Sequence, residues 1–313
     1  MPLAMACSPP LDAQAQPIRR YALEDRVRIE SSAGGRGPVD VWCPLIPDTP
    51  YQRVVLMDLE APGPWTVGHD GEHGNRMLHA RVDGRLPEPV FRLQYVVERR
   101  PLPHMLDPAC VGPLGTPALF QPWLRAEGHV TVDEGTRGLA RQVVGAATNP
   151  LAQARRIYEH VAGAMTYNAA AQSWTGSTEH ALACATGNCN DIHALFISLC
   201  RSVGIPARLV LGQAFEPPPP GQEACDLCGY HCWAEFFAAG LGWLPADASC
   251  ACKYGRHLFG DLELNHVAWS VGRDILLAPP QRGSRVLFFS GPYVEVDGEP
   301  ARAVDRHIRF SEA

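Results

Sequence analysis

No stretch of the sequence approaches the roughly 18 consecutive apolar residues that a membrane-spanning helix needs, and the longest mixed apolar runs are only strand-length. The chain is therefore not expected to cross a membrane. It also has no basic excess: 27 Lys and Arg stand against 33 Asp and Glu, scattered in both signs, for a net charge of −6. Without a basic stripe there is nothing to neutralise phosphates, so nucleic acid is not an expected partner. No Asp-x-Asp-x-Asp-Gly loop is present, and no calcium requirement is expected. The first residues contain a short apolar piece and an A-x-A-like end at Ala13 to Ala15, but they lack a charged n-region and a full h-region. Residues 1–19 read as a disordered or processed N-terminus. The sequence as given suits a cytoplasmic protein, or a periplasmic one if this segment is the remnant of a leader.

What is there is ample apolar material. With 46% hydrophobic side chains over 313 residues, the chain is long enough for one full core and better suited to two domains. Eleven cysteines is a high count, but an odd number spread unevenly does not read as a disulfide framework.

From Arg20 to Pro101 the apolar positions alternate at period two: Val27 and Ile29, Val39 and Val41, Val54 to Leu59, then Leu93, Tyr95 and Val97. Turn clusters such as Ala33 to Gly37 and His69-Asp70-Gly71 separate these runs. The pattern predicts a β-sandwich over residues 20–101. Residues 102–122, rich in Pro and Gly, read as a linker, and residues 123–313 as a second domain. In that half the period becomes helical. Asn149 is a good N-cap and Pro150 fits the first helical position, with Ala154, Ile157, Tyr158, Val161 and Met165 on one face. A second helix follows Cys189, carrying Ile192, Leu195, Phe196, Leu199 and Val203, and stops at Gly204. Strands are expected at Leu209 to Gly212, Trp233 to Phe237 and Trp243 to Pro245, so the domain reads as α+β.

A thiol is useful as a nucleophile when held as thiolate, which a helix N-terminus and a nearby imidazolium both favour. Cys189 sits where its helix should start. Gly187 lets the backbone turn tightly there and leaves the helix-start N–H groups to meet a developing oxyanion. His231 and Asp247 lie sixteen residues apart with Ala239 to Gly242 as the turn between them. A hairpin folded at that turn is expected to bring His231 opposite Asp247, so that the carboxylate fixes the tautomer of a general base.

Gly187-Asn188-Cys189-Asn190-Asp191, Arg201 to Arg208, Tyr230 to Phe236 and Gly242 to Ala248 resemble the four blocks of the bacterial transglutaminase-like cysteine peptidase family, in order and at usual spacings. Phe259 to Leu262, Gly272 to Ile275 and the N-terminal β-domain add to the likeness. The resemblance implies a papain-like core with Cys189 as nucleophile, His231 as base and Asp247 as orienting acid, acting on a peptide, protein or amide. Animal transglutaminases use an upstream Trp to support the oxyanion, and Trp174 is the candidate here, at a shorter spacing from Cys189. Arg208 is expected to pair with a carboxylate beneath the site, and Asp191 to cap the helix.

Cys225-x-x-Cys228 precedes His231 and Cys250-x-Cys252 follows Asp247, so pairing of the two strands would put both pairs at one end of the hairpin. The family does not explain them. A structural zinc, one or two disulfides, or free thiols in an irregular loop all remain open. The leading functional reading is amide hydrolysis through a thioester. The alternatives are a transglutaminase passing the acyl group to an amine, a non-catalytic binding module, and a metal or redox sensor built on the cysteines.

Overall fold

The computed structural model of the chain describes residues 17–30, 37–102, 106–170, 175–216, 218–227, 229–301 and 304–313. The chain begins with strands β1 (Arg19–Ile29), β2 (Pro38–Pro44), β3 (Gln52–Glu60), β4 (Trp65–His69), β5 (Arg76–Asp83) and β6 (Val90–Arg99). Short 3-10 helices at Pro108–Cys110 and Pro117–Trp123 lead into helices α1 (Glu134–Val144) and α2 (Pro150–Ala164). Two-residue strands β7 (Thr166–Tyr167) and β8 (Thr186–Gly187) flank α3 (Thr178–Cys184), and α4 (Cys189–Ser202) follows. Next come β9 (Ala207–Ala214), β10 (Ala224–Leu227), β11 (His231–Ala238), β12 (Gly242–Asp247), α5 (Ala248–Tyr254) and β13 (Leu258–Phe259). The chain closes with β14 (His266–Val271), β15 (Tyr293–Val296), β16 (Glu299–Ala301) and β17 (Val304–Glu312).

These elements form two compact units. One holds Pro101–Val210 and Cys232–Glu263, the other Pro17–Arg100, Leu211–His231 and Leu264–Ala313. The contiguous division expected from the sequence, residues 20–101 against 123–313 with a linker between, gives way to an interleaved one. The reason is strand pairing. The β-unit contains two five-stranded sheets in the orders β10-β17-β1-β6-β3 and β16-β15-β2-β5-β4. In the first, β17 pairs antiparallel with β1 from Tyr21↔Glu312 to Ile29↔Val304. In the second, β15 pairs with β2 from Tyr293↔Trp42 to Val296↔Val39. The last fifty residues thus complete sheets that the first hundred begin.

The two sheets share one core. Tyr21, Leu23, Val27 and Ile29 of β1 and Phe91, Leu93, Tyr95 and Val97 of β6 meet Val39, Val41 and Cys43 of β2 and Leu78, Ala80 and Val82 of β5. The period-two alternation seen in the sequence is the alternation of sandwich-facing and outward side chains.

The other unit is built around α4. Every residue from Cys189 to Arg201 is buried, so this helix is enclosed on all sides rather than amphipathic. Each fully buried Leu, Ile or Phe contributes on the order of 1.5–3 kcal/mol. Helix α2 starts as its sequence suggests: the Asn149 side chain accepts from the N–H groups of Leu151 and Ala152, Pro150 occupies the first turn, and Ala154, Ile157, Tyr158 and Val161 are buried. Helix α4 ends at Ser202, and Gly204 takes a left-handed φ of 80°.

Candidate active site

Cys189 is the first residue of α4 and is 8% exposed. The start of that helix is closed by a capping box. The Asn188 side chain accepts from the Asn190 N–H at 2.9 Å, while Asp191 Oδ2 accepts from the Asn188 N–H at 3.1 Å. Asp191 Oδ1 also accepts from the Ser177 N–H at 3.1 Å, tying the preceding loop to the helix start. This bears out the capping role read from the sequence. Gly187 is required by packing, since a Cβ there would meet the Asp191 Cβ at 2.6 Å.

His231 opens β11 and Asp247 closes β12. The two strands pair antiparallel from Ala234↔Ala246 to Ala238↔Gly242. Continuing this register by one residue puts Asp247 level with Trp233, not with His231. His231 is the next residue on the same face of β11, a diagonal neighbour rather than the directly opposite one expected. An oxygen of the Asp247 carboxylate and the Cys250 sulfur lie within 4.8 Å of one another. The rings of His231 and His266 meet edge to face with centroids 5.5 Å apart. Imidazole, carboxylate and thiol are ligand types for zinc as well as members of a proton-transfer set.

Asp247 is held from several directions. Its side chain is the N-cap of α5: Oδ1 accepts from the Cys250 N–H at 2.9 Å and from Ser249 Oγ at 2.7 Å. Its backbone carbonyl accepts from the Tyr158 hydroxyl at 3.2 Å, and that hydroxyl in turn accepts from the Leu258 N–H at 3.0 Å. The residue is 0% exposed. A carboxylate so enclosed has little freedom to swing.

Arg208 pairs with Glu235, Nη2 to Oε2 at 2.7 Å, and its guanidinium lies 4.0 Å above the Trp243 ring, as a structural arginine beneath a site would. Trp174 and Cys228 lie outside the described residues. Among the described residues, Cys225, Cys250 and Cys252 form no disulfide. The Cys250-x-Cys252 segment is not an irregular loop but part of α5, where residues two apart point to different sides. Cys250 is buried, whereas Cys252 is half-buried, with its sulfur 3.7 Å from the Ala162 carbonyl. The local geometry for a zinc shared by both members of this pair is therefore poor.

Sequence reasoning passed over His193, Asn190, Cys232, Ser249 and His266. The signal for His193 was available: it is an imidazole inside the apolar run Ile192 to Leu199, one turn beyond Cys189, where a polar side chain must find partners. Asp247-Ala248-Ser249-Cys250 was equally legible as a helix start, with Asp at the N-cap.

Residues 137–248 match the profile of the transglutaminase-like superfamily. Over that span the chain is similar to this superfamily. Cys189, His231 and Asp247 all fall within the matched span. An uncharacterized protein of Haemophilus influenzae is 26% identical over 87% of this chain and 84% of its own length. Among solved structures, a Cytophaga hutchinsonii protein provisionally assigned as a cysteine protease superposes with a TM-score of 0.60 at 16% identity, covering 95% of this chain and 91% of that one. At that identity the likeness establishes the fold. The periplasmic domain of TgpA from Pseudomonas aeruginosa gives a TM-score of 0.41 at 17% identity, over 72% of this chain and 95% of its own. This likeness supports a cysteine-dependent acyl-transfer enzyme in general. Among the described residues, no helix is long and apolar enough to cross a membrane.

Proposed function

We propose that this transglutaminase-like protein hydrolyses an amide bond in a peptide or protein through a thioester on Cys189. The placement of Cys189 as the first residue of the enclosed helix α4 carries this reading. The helix N-terminus, with its positive dipole end, favours the thiolate. In the reaction, the Cys189 thiolate adds to the carboxamide carbon. The tetrahedral intermediate collapses as His231 gives a proton to the leaving amine. His231 then takes a proton from water, which attacks the thioester and releases the acid with the thiol restored. Asp247 orients the imidazole and stabilises its cation.

Product analysis with a glutamine-containing peptide, with and without a primary amine, tests the reading. Ammonia release with free glutamate in the peptide, undiminished by the amine, is the expected result. Incorporation of the amine in place of water would make the chain a transglutaminase. No turnover across a peptide panel, with Cys189 no more reactive than the other thiols, would leave a binding module on the same fold.

A further inference from the structure

A connected set of buried polar side chains runs behind the proposed catalytic residues, and the acyl-transfer reading leaves it unused. His193, Cys232 and Asp247 are each 0% exposed, and Asn190 is 3% exposed. The Cys232 thiol donates to Asn190 Oδ1 at 3.2 Å, and its sulfur lies 3.8 Å from His193 Nδ1. On the other edge of the ring, His193 Nε2 lies 3.4 Å from Asp247 Oδ1. Each member is tied to the site by the chain itself. Asn190 follows Cys189, Cys232 follows His231, and His193 stands four residues along α4 from Cys189 on the same helical face.

An enclosed imidazole costs free energy unless its nitrogens face polar atoms: Nδ1 faces the Cys232 sulfur, and Nε2 faces Asp247 Oδ1 at an ion-pair distance without an aligned hydrogen bond. The consequence lies at Asp247. Ser249 Oγ, the Cys250 N–H and His193 Nε2 all approach the same oxygen, Oδ1. Ser249 and Cys250 belong to the helix that Asp247 caps, so they move with it. His193 belongs to α4, the helix that carries Cys189. It is the member of this set that refers the carboxylate to the nucleophile's own helix. A carboxylate anchored through Oδ1 has its plane fixed, and with it the direction in which Oδ2 points.

We propose that His193 is a positioning residue for Asp247: its imidazole, set between Cys232 and Asp247, fixes the carboxylate plane relative to α4 and thereby the orientation of His231. The proposal rests on the catalytic reading given above. It assigns no contact between His193 and substrate.

The test uses the full chain and iodoacetamide at neutral pH, with alkylation of Cys189 followed by peptide mass spectrometry. Cys184 serves as the reference, because it is free and exposed. In the unaltered chain Cys189 alkylates faster than Cys184. His193→Leu removes the nitrogen facing Asp247 and is expected to slow Cys189 about 10-fold, in line with the ~10–100-fold losses seen when an outer residue that orients a reacting group is removed. Cys184 should be unchanged. His193→Gln places an amide nitrogen near the Nε2 position and should stay within about 3-fold of the unaltered chain, whereas His193→Asn, too short to reach it, should behave like His193→Leu. Melting temperatures accompany each variant, and the Gln and Asn pair keeps the comparison intact if the Leu variant does not fold. A Leu or Asn variant that alkylates at the parental rate overturns the positioning role. So does a Gln variant as slow as the Asn variant at equal melting temperature, since that pattern belongs to packing alone. If Cys189 is no faster than Cys184 in the unaltered chain, the catalytic reading fails and the positioning role goes with it.

Discussion

The two units bury polar groups in different ways. In the β-unit the main buried ion pair is self-contained: Arg306 and Asp25 meet in a two-pronged contact, Nε to Oδ1 at 2.9 Å and Nη2 to Oδ2 at 2.6 Å, with the remaining arm of Arg306 bonded to the Ser290 carbonyl. Each donor finds its own acceptor, and the pair sits between strands β1 and β17 that are already in register. In the α-rich unit the buried polar groups converge instead. Three groups approach the single oxygen Oδ1 of Asp247, and the Asp191 carboxylate closes both a loop and the helix that begins at Cys189. Local pairing of this first kind stabilises a fold. Convergence on one carboxylate, one residue away from strand and helix boundaries, fixes a direction, and direction is what general acid–base chemistry needs.

The comparison breaks most sharply at the nucleophile. Cys189→Ala should abolish turnover while leaving the melting temperature and circular dichroism spectrum of the chain intact, and substantial residual activity would remove the mechanism. Asp247→Asn is expected to lose up to ~10⁴-fold in kcat, by analogy with triads whose base is held in the wrong tautomer. Steady-state kinetics on the same peptide measures it, with KM little changed.

In the β-unit the expected loss is one of stability. Arg306→Leu leaves Asp25 buried and unpaired, and should cost about 3–5 kcal/mol in urea denaturation. The alkylation rate of Cys189 in the folded protein should not move. A drop in that rate without a stability loss would erase the distinction between the two kinds of polar burial. Asp191→Ala lies between the cases. It removes half of a capping box, so a cost of roughly 1–2 kcal/mol is expected, together with slower alkylation of Cys189 as the first turn of α4 frays.

The smallest effect concerns Cys252. Burial pushes its thiol up to about 11 from an ordinary value of 9.0, with the Asp247 charge adding to the rise. The folded chain therefore prefers the protonated thiol. The stability this contributes is present in full below pH 9 and is lost as the pH rises toward 11. Thermal melts across that interval should show a decline that Cys252→Ala flattens. At neutral pH the same thiol should alkylate far more slowly than Cys189.

Helix α4 was legible because its signals are local: Gly187 before the turn, Cys189 at the start, an apolar run, then Gly204. The same holds for Asn149-Pro150 at the head of α2 and for the alternating strands β1, β2 and β6. Helix α5 was missed although Asp247 caps it, because the residue's reading as an acid in a strand hid its role as the first contact of a helix. The sequence leaves the cysteines beside the hairpin open among zinc, disulfides and free thiols, whereas in the structure the i, i+2 pair Cys250 and Cys252 lies on a helix. The exact hairpin register was not in the sequence either. Turn residues Gly240 and Gly242 mark where the chain reverses, but which residue faces Asp247 depends on how the strands slide before they lock.

By itself the sequence determined the chemistry available and the local shapes that present it: a cysteine at a helix start, a histidine and an aspartate on neighbouring strands, no basic excess, and a sandwich pattern at the N-terminal end. These follow from propensity, periodicity and capping, which act over a few residues. Only the tertiary structure decided that strands from residue 293 onward complete the N-terminal sheets, that Asp247 lies diagonal to His231, and that His193 reaches from α4 to Asp247. Each of those depends on pairing residues far apart in the chain. Such pairing is chosen by which apolar faces bury together and which buried polar atoms then find partners, and no window of sequence contains both halves of that choice.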